Sequence, residues 1–256
     1  MTSRLRTYAI ACVALLALTL PQTSRAAEFS SAQRDEIGKI VREYLVQHPE
    51  VLQEAMAELE KRQSALEGEK HKAAVKEHAA TIFSSPRQVT LGNLKGDVTF
   101  VEFFDYNCGY CKRAMNDMMA LMKNDPKLKV VLKEFPVLGP GSLEAAQVAV
   151  AVRMQDPSGK KYLEFHQKLL TARGQADKAH AMAVAKEIGM NISQIEKDIV
   201  GPEVKATLQE SFKLAEALGM NGTPSYVIGD SVVVGAVGLE ALREKINTTR
   251  CGKPAC

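Results

Sequence analysis

From about residue 98 onward the hydrophobic residues of this chain change their spacing in a set order, and that order is the strongest constraint on its fold. Val98 to Phe104, rich in Val, Thr and Phe, reads as a strand; Cys111 to Lys123 repeats its apolar residues at helical spacing; Lys129 to Phe135 is a second strand. From about Ser142 to Leu218 the pattern is almost wholly helical, interrupted at Asp156-Pro157, Arg173-Gly174 and Gly201-Pro202. Strands return at Ser225 to Ile228 and Val232 to Ala236, joined by the turn-forming pair Gly229-Asp230, and a last helix runs from about Leu239 to Asn247. Strand, helix, strand, helical block, hairpin, helix describes an α/β sheet with an inserted helical subdomain at about 142–218.

The preceding segment is organised differently. Ser30 or Ser31 caps a helix in which Ile37, Ile40, Val41, Tyr44 and Leu45 recur at helical spacing, and Pro49 ends it. The stretch to about residue 80 is rich in Ala, Glu, Lys and Leu and carries a seven-residue recurrence, Leu45, Leu52, Leu59, Leu66, Ala73 and Ala80. Only one seam position is cleanly apolar, so a coiled coil and a solitary charged helix both satisfy the pattern. His71 and His78, also seven apart, have no Cys or acidic partner at ligand spacing and read as solvated. Ser84-Ser85-Pro86 breaks the helical pattern and serves as the expected boundary between a helical segment at 27–84 and a catalytic domain at 85–256.

Residues 1–26 read as a secretory signal peptide. Arg4 and Arg6 head an apolar run from Tyr8 to Leu20, followed by Pro21 and the small residues around Arg25. The run is about 13 residues, short of the roughly 20 a membrane-spanning helix needs. Cys12 lies within it and reads as packing bulk. The full chain holds 33 Lys plus Arg against 30 Asp plus Glu, and the signal contributes three arginines and no acid, so the exported part is neutral. That balance gives no electrostatic footprint for nucleic acid.

Export places the remaining cysteines in an oxidising compartment. They form two close pairs, Cys108 with Cys111 and Cys251 with Cys256. Cys108 stands where a strand ends and a helix begins, so the helix's unpaired N–H groups and dipole favour its thiolate, which is the attacking species. Cys111, one turn on, can attack the mixed disulfide that Cys108 forms with a substrate. This makes Cys108 the nucleophile and Cys111 the resolving thiol, with Gly109 and Tyr110 between them tuning the pair. A zinc site drawing on all four cysteines and an inert structural disulfide are the competing readings. Cys251 and Cys256, in a Gly- and Pro-containing tail with no helix start after Cys251, read as a structural loop closure; a second redox relay is the alternative. Thr223-Pro224, just before a strand, is a candidate cis peptide that would expose the Thr223 backbone to an extended substrate.

Three segments carry a resemblance to a known family: Val101-Glu102-Phe103-Phe104-Asp105-Tyr106-Asn107-Cys108-Gly109-Tyr110-Cys111, then Glu134-Phe135-Pro136-Val137-Leu138-Gly139-Pro140, then Gly222-Thr223-Pro224-Ser225. In this order, over roughly residues 88–250, they resemble the DsbA-type thioredoxin-fold oxidoreductases. The Cys-Gly-Tyr-Cys site together with the N-terminal helical segment resembles the ScsC-like proteins of suppressor-of-copper-sensitivity systems. The resemblance implies a periplasmic enzyme with a catalytic thioredoxin fold, a cis Pro224 facing the dithiol, and a helical stalk that in some relatives forms a trimer. It also favours the Leu45 to Leu66 seam as an oligomer contact.

Glu102 matches the position of the family's buried acid, where burial would raise its pKa and let it accept the Cys111 proton. Exposure to solvent, or pairing with Lys133, is the bland alternative. Met115, Met118, Met119 and Met122 suit Cu(I) chemically but sit at helical spacing, the ordinary pattern of core filling. No cofactor and no metal is therefore expected. The expected activity is disulfide isomerisation on misfolded, disulfide-containing exported proteins, with a membrane thiol reductase supplying electrons. A dithiol oxidase and a non-enzymatic chaperone or copper-binding module are the alternatives.

Overall fold

The structure, a computed structural model, describes residues 29–256. The expected signal peptide at 1–26, with Cys12, lies outside the described residues. Contacts divide the chain into two units between Lys61 and Arg62.

Helix α1 (Ser31–Gln47) is capped by Ser30, whose hydroxyl accepts from Gln33 N while the Gln33 side chain returns a bond to Ser30 N. Pro49 follows it, and α2 (Glu50–Glu77) and α3 (Ala79–Ser84) complete the N-terminal helices. Leu52, Leu59 and Leu66 are 49%, 55% and 65% exposed, so the heptad seam is not consumed by this chain's own core. His71 and His78 are half-buried rather than solvated. The break at Ser84-Ser85-Pro86 ends α3 but lies inside the second unit, because Val75 and Ile82 are already part of that unit's core.

The second unit is built on a five-stranded sheet in the order β1 (Val89–Gly92), β3 (Leu128–Glu134), β2 (Val98–Phe104), β4 (Ser225–Ile228), β5 (Ser231–Val234). β2 and β3 are parallel and joined by α4 (Gly109–Asn124); the other pairings are antiparallel. The hairpin turn at Gly229-Asp230 uses Gly229 at φ +61°. Strand β1 has no counterpart in the sequence reading: four residues ending in Gly92 are too short to show a period, and only pairing with β3 makes them a strand.

Alternation along β2 sorts its residues between two cores. Phe100 and Phe104 face a layer containing Met115 and Met118 of α4, Leu242 and Ile246 of α10 (Leu239–Cys251), and the helical insertion. Val101 and Phe103 face Val75, Ile82, Leu214 and Leu218. The insertion comprises α5 (Pro140–Gln155), α6 (Lys160–Thr171), α7 (Lys178–Glu187), α8 (Ile192–Asp198) and α9 (Pro202–Ala217). Its α5 buries Ala145, Val148, Ala149 and Val152, small enough for helices to approach closely. Met118 is fully buried and Met115 nearly so, with Met119 and Met122 packed against the same core, which places the methionine run in the interior of the fold.

Candidate active site

The dithiol sits where β2 runs into α4. Cys108 is the N-cap of α4, and its sulfur accepts from Cys111 N at 3.3 Å. Its backbone is tied on both sides, Cys108 N to Asp105 O at 3.1 Å and Lys112 N to Cys108 O at 3.2 Å. Both cysteines are free thiols; Cys108 is 5% exposed and Cys111 fully buried. Beside them Tyr110 is 58% exposed, with the Arg113 guanidinium 4.5 Å from its ring centroid. A Cβ placed on Gly109 would meet nothing within 4 Å, so the surface is open at that residue.

The two thiols are driven in opposite directions. The Cys108 pKa falls from 9.0 to about 5, chiefly through a hydrogen bond from the Cys111 thiol, helped by the Thr223 side chain and the N–H groups of Cys111 and Tyr110, against an opposing push from burial. The Cys111 pKa rises, because that same bond and burial hold its proton and the charges of Glu102 and Cys108 add to the effect. An acidic thiol on the exposed side and a proton-holding thiol beneath it form an asymmetric pair.

The segment after α9 reaches the same point. The Thr223-Pro224 peptide is cis, and the Cys108 thiol donates to Thr223 O at 3.2 Å. Loss of the proton turns that contact repulsive, so Thr223 O is free to face another donor once Cys108 ionises. Pro224 O accepts from Gly235 N at 2.8 Å and Ser225 Oγ donates to Gly222 O at 2.7 Å, which fixes the loop to the sheet.

Glu102 lies on the dithiol side of β2, in phase with Phe100 and Phe104. It is 2% exposed, its Oε2 has no protein hydrogen-bond partner, and burial, then the Cys108 and Asp117 charges, raise its pKa from 4.5 to about 8. Lys133 is not its partner. Strand alternation puts Lys133 on the other face of the sheet, where it donates to Thr81 O at 2.9 Å and lies 3.8 Å from Glu210.

Cys251 and Cys256 form a disulfide with an S–S distance of 2.03 Å. Sequence reasoning did not single out a second buried acid, Glu134, which accepts from Tyr162 at 2.5 Å and Tyr106 at 3.5 Å beside the buried His166. Burial raises its pKa to about 8. The available signal was an acid at an inward phase of the Lys129–Phe135 strand, the same signal that marks Glu102. Asp105 and Asn107 hold the loop before Cys108 through bonds to residues remote in the chain, which no local pattern reveals.

The sequence of residues 99–247 matches the DSBA-like thioredoxin domain. The chain belongs to that family. Cys108 and Cys111 lie within the matched residues. Residues 33–65 match the copper resistance protein ScsC N-terminal domain, so the N-terminal helices are a recognisable module as well. Among solved structures, a thioredoxin-like oxidoreductase from Silicibacter pomeroyi is 42% identical, with 67% of this chain and 96% of that one covered at a TM-score of 0.63. Proteus mirabilis ScsC in a transitional conformation is 29% identical, covering 88% of this chain and 99% of that one at a TM-score of 0.63. Curated relatives include the Na(+)/H(+) antiporter NhaA 1 of Salinispora arenicola, 22% identical over 163 residues, which are 63% of this chain and 24% of the antiporter. The chain thus spans about a quarter of the length of such relatives.

Proposed function

We propose that this chain is an exported, periplasmic disulfide isomerase that acts through a mixed disulfide at Cys108 and assembles through its N-terminal helices. The observation that carries the reading is Cys108 standing as the N-cap of α4, its sulfur accepting from Cys111 N, with the second free thiol fully buried beside it.

The Cys108 thiolate attacks one sulfur of a substrate disulfide; the substrate S–S bond breaks, a Cys108–substrate disulfide forms, and the other substrate sulfur leaves as a thiolate. In isomerisation a different substrate thiolate then attacks the mixed disulfide, releasing Cys108 unchanged, so no net electrons move. When the substrate stalls, Cys111 displaces it. Its proton passes to Glu102, the Cys108–Cys111 disulfide forms, and the substrate leaves reduced by two electrons. Mixed-disulfide formation itself prepares that exit. It removes the Cys108 anion, which with burial had held the proton on Cys111 and raised Glu102, so both pKa values fall and the carboxylate form of Glu102 that takes the proton becomes more accessible. Thr223 O, Gly109 and the exposed Tyr110 offer the passing chain a backbone acceptor and an apolar face. A membrane thiol reductase would return Cys108 and Cys111 to the dithiol.

The exposed seam of Leu52, Leu59 and Leu66 supports an oligomer, with a trimer as the expected state. Sedimentation of the full chain tests this: Leu52→Glu with Leu59→Glu should give a monomer, and a wild-type monomer at micromolar concentration would refute it. A second reading, dithiol oxidase, is favoured by the acidity of Cys108, since stabilising the reduced form makes the disulfide a stronger oxidant. Reactivation of scrambled ribonuclease decides between them. Failure to reactivate it, combined with rapid oxidation of reduced ribonuclease, would overturn the isomerase reading.

A further inference from the structure

Between β2 and Cys108 lie three residues whose polar groups are turned almost entirely toward distant parts of the chain. Asp105 Oδ2 accepts from Val137 N at 2.8 Å and Leu138 N at 2.9 Å, and its Oδ1 accepts from Asn107 N at 2.8 Å. The Asn107 side chain goes further. Its Nδ2 donates to Ser142 Oγ at 2.9 Å and to Ala176 O at 2.8 Å, and its Oδ1 accepts from Ala176 N at 2.8 Å. An asparagine side chain offers two N–H donors and one carbonyl oxygen, and both functions are engaged. Ser142 is in the first turn of α5 and fully buried; Ala176, 3% exposed, is in the link between α6 and α7. Every partner of this side chain therefore belongs to the helical insertion, and the next residue along the chain is the nucleophile.

We propose that Asp105 and Asn107 are positioning residues for Cys108, and that through Asn107 the helical insertion sets the reactivity of the nucleophile. The proposal rests on Cys108 being the attacking thiol. Its physical basis is the short lever between the clasp and the sulfur. Cys108 must hold an N-cap conformation, φ −79° and ψ 113°, for its sulfur to receive Cys111 N, and the peptide plane that enters that conformation is the Asn107–Cys108 bond. A backbone pulled from its place by even a few tenths of an ångström lengthens the 3.3 Å contact and weakens one of the anion's supports. The two bonds to Ala176 resemble a strand pairing made by a side chain, so a shift of the α6–α7 link is transmitted to Asn107 directly. A substrate or reductase that leans on the insertion can in this way alter the acidity of a thiol it does not touch.

The test uses the reduced full-length chain and three variants, Asn107→Ala, Ser142→Ala and, as a stability control, Arg250→Ala, which removes ion pairs to Asp97 and Asp125 at the end of α10. Cys108 ionisation is read from thiolate absorbance against pH, attack on oxidised glutathione at pH 6 by stopped flow, and thermal midpoints on the same samples. Asn107→Ala is expected to raise the Cys108 midpoint by about one pH unit, which at pH 6 lowers the thiolate fraction from about nine-tenths to about one half. Ser142→Ala, which leaves the Ala176 pair intact, should produce a smaller shift in the same direction. Arg250→Ala should lower the thermal midpoint without moving the titration. Should Asn107→Ala not fold, Ser142→Ala decides alone, and no shift in its titration overturns the proposal. An unchanged titration and rate in Asn107→Ala, with only a lower thermal midpoint, likewise overturns it and leaves Asn107 a structural residue. If instead wild-type Cys108 titrates like a free thiol, the isomerase reading itself fails.

Discussion

Replacing Glu102 with glutamine probes the buried acid with a neutral group of nearly the same shape. In the folded chain Glu102 ionises near pH 8, against 4.5 for an ordinary glutamate, because burial and the nearby Cys108 and Asp117 charges disfavour its anion. The folded state therefore keeps a proton that the unfolded state has already released throughout the interval between those two values. Since the folded pKa is the higher one, its contribution to stability is complete below pH 4.5 and is lost as pH rises toward 8. Each pH unit in that interval removes about 1.4 kcal/mol, which accumulates to roughly 3 kcal/mol by pH 7. Glutamine does not titrate, so Glu102→Gln should lack this loss. The stability difference between variant and wild type should widen by roughly 3 kcal/mol from pH 4.5 to pH 7. Burying an amide without a partner shifts the variant's curve vertically, but equally at every pH, so the slope carries the test. Cys108 titrates with the opposite sign, its folded pKa being depressed, yet it is present in both proteins and cancels in the difference. Urea unfolding of the reduced full chain at half-unit steps supplies the data. Parallel stability curves for the two proteins across this range would refute the buried-acid account. The same variant should slow release of a trapped substrate by Cys111 about a hundredfold if Glu102 receives the proton.

Thiolate absorbance of the reduced wild type should show a transition near pH 5 that disappears in Cys108→Ala; a single transition above pH 8 would contradict the hydrogen-bonding pattern at the head of α4. Tyr162→Phe deletes the closer of the two donors to buried Glu134 and should lower stability by about 1–3 kcal/mol at pH 7 in urea unfolding, with a loss under about 0.5 kcal/mol counting against a satisfied network. Met118→Ala empties a fully buried site and should cost about 2–5 kcal/mol, whereas a metal-binding role would leave apo-protein stability nearly unchanged and lower Cu(I) affinity instead.

Much of the fold was legible because its signals are local. The β2 strand was expected at 98–104 and is observed there, and the helical block expected at 142–218 is observed as α5 to α9. Ser30 caps α1 through a hydroxyl and a side-chain amide three residues apart, information that never leaves one turn. β1 was not legible, since four residues take strand form only by adding to the edge of β3. The boundary at residue 84 followed a true break in the helices, but whether Val75 and Ile82 belong to the sheet's core depends on what lies across from them.

Glu102 was marked by resemblance to a family with a buried acid at that position, whereas spacing alone offered two thiols one helical turn apart, the first of them at a helix start. The placement of the thiols depends on spacing, and spacing is written residue by residue. How those atoms behave is set by the folded surroundings. The fold brings Thr223 within 3.2 Å of Cys108 across a separation of 115 residues, sends Lys133 to the opposite face from Glu102, and fastens Asn107 to residues 142 and 176. Charge state and reach depend on burial and on partners remote in the chain, and a one-dimensional pattern of apolar and polar residues specifies faces without saying what will pack against them.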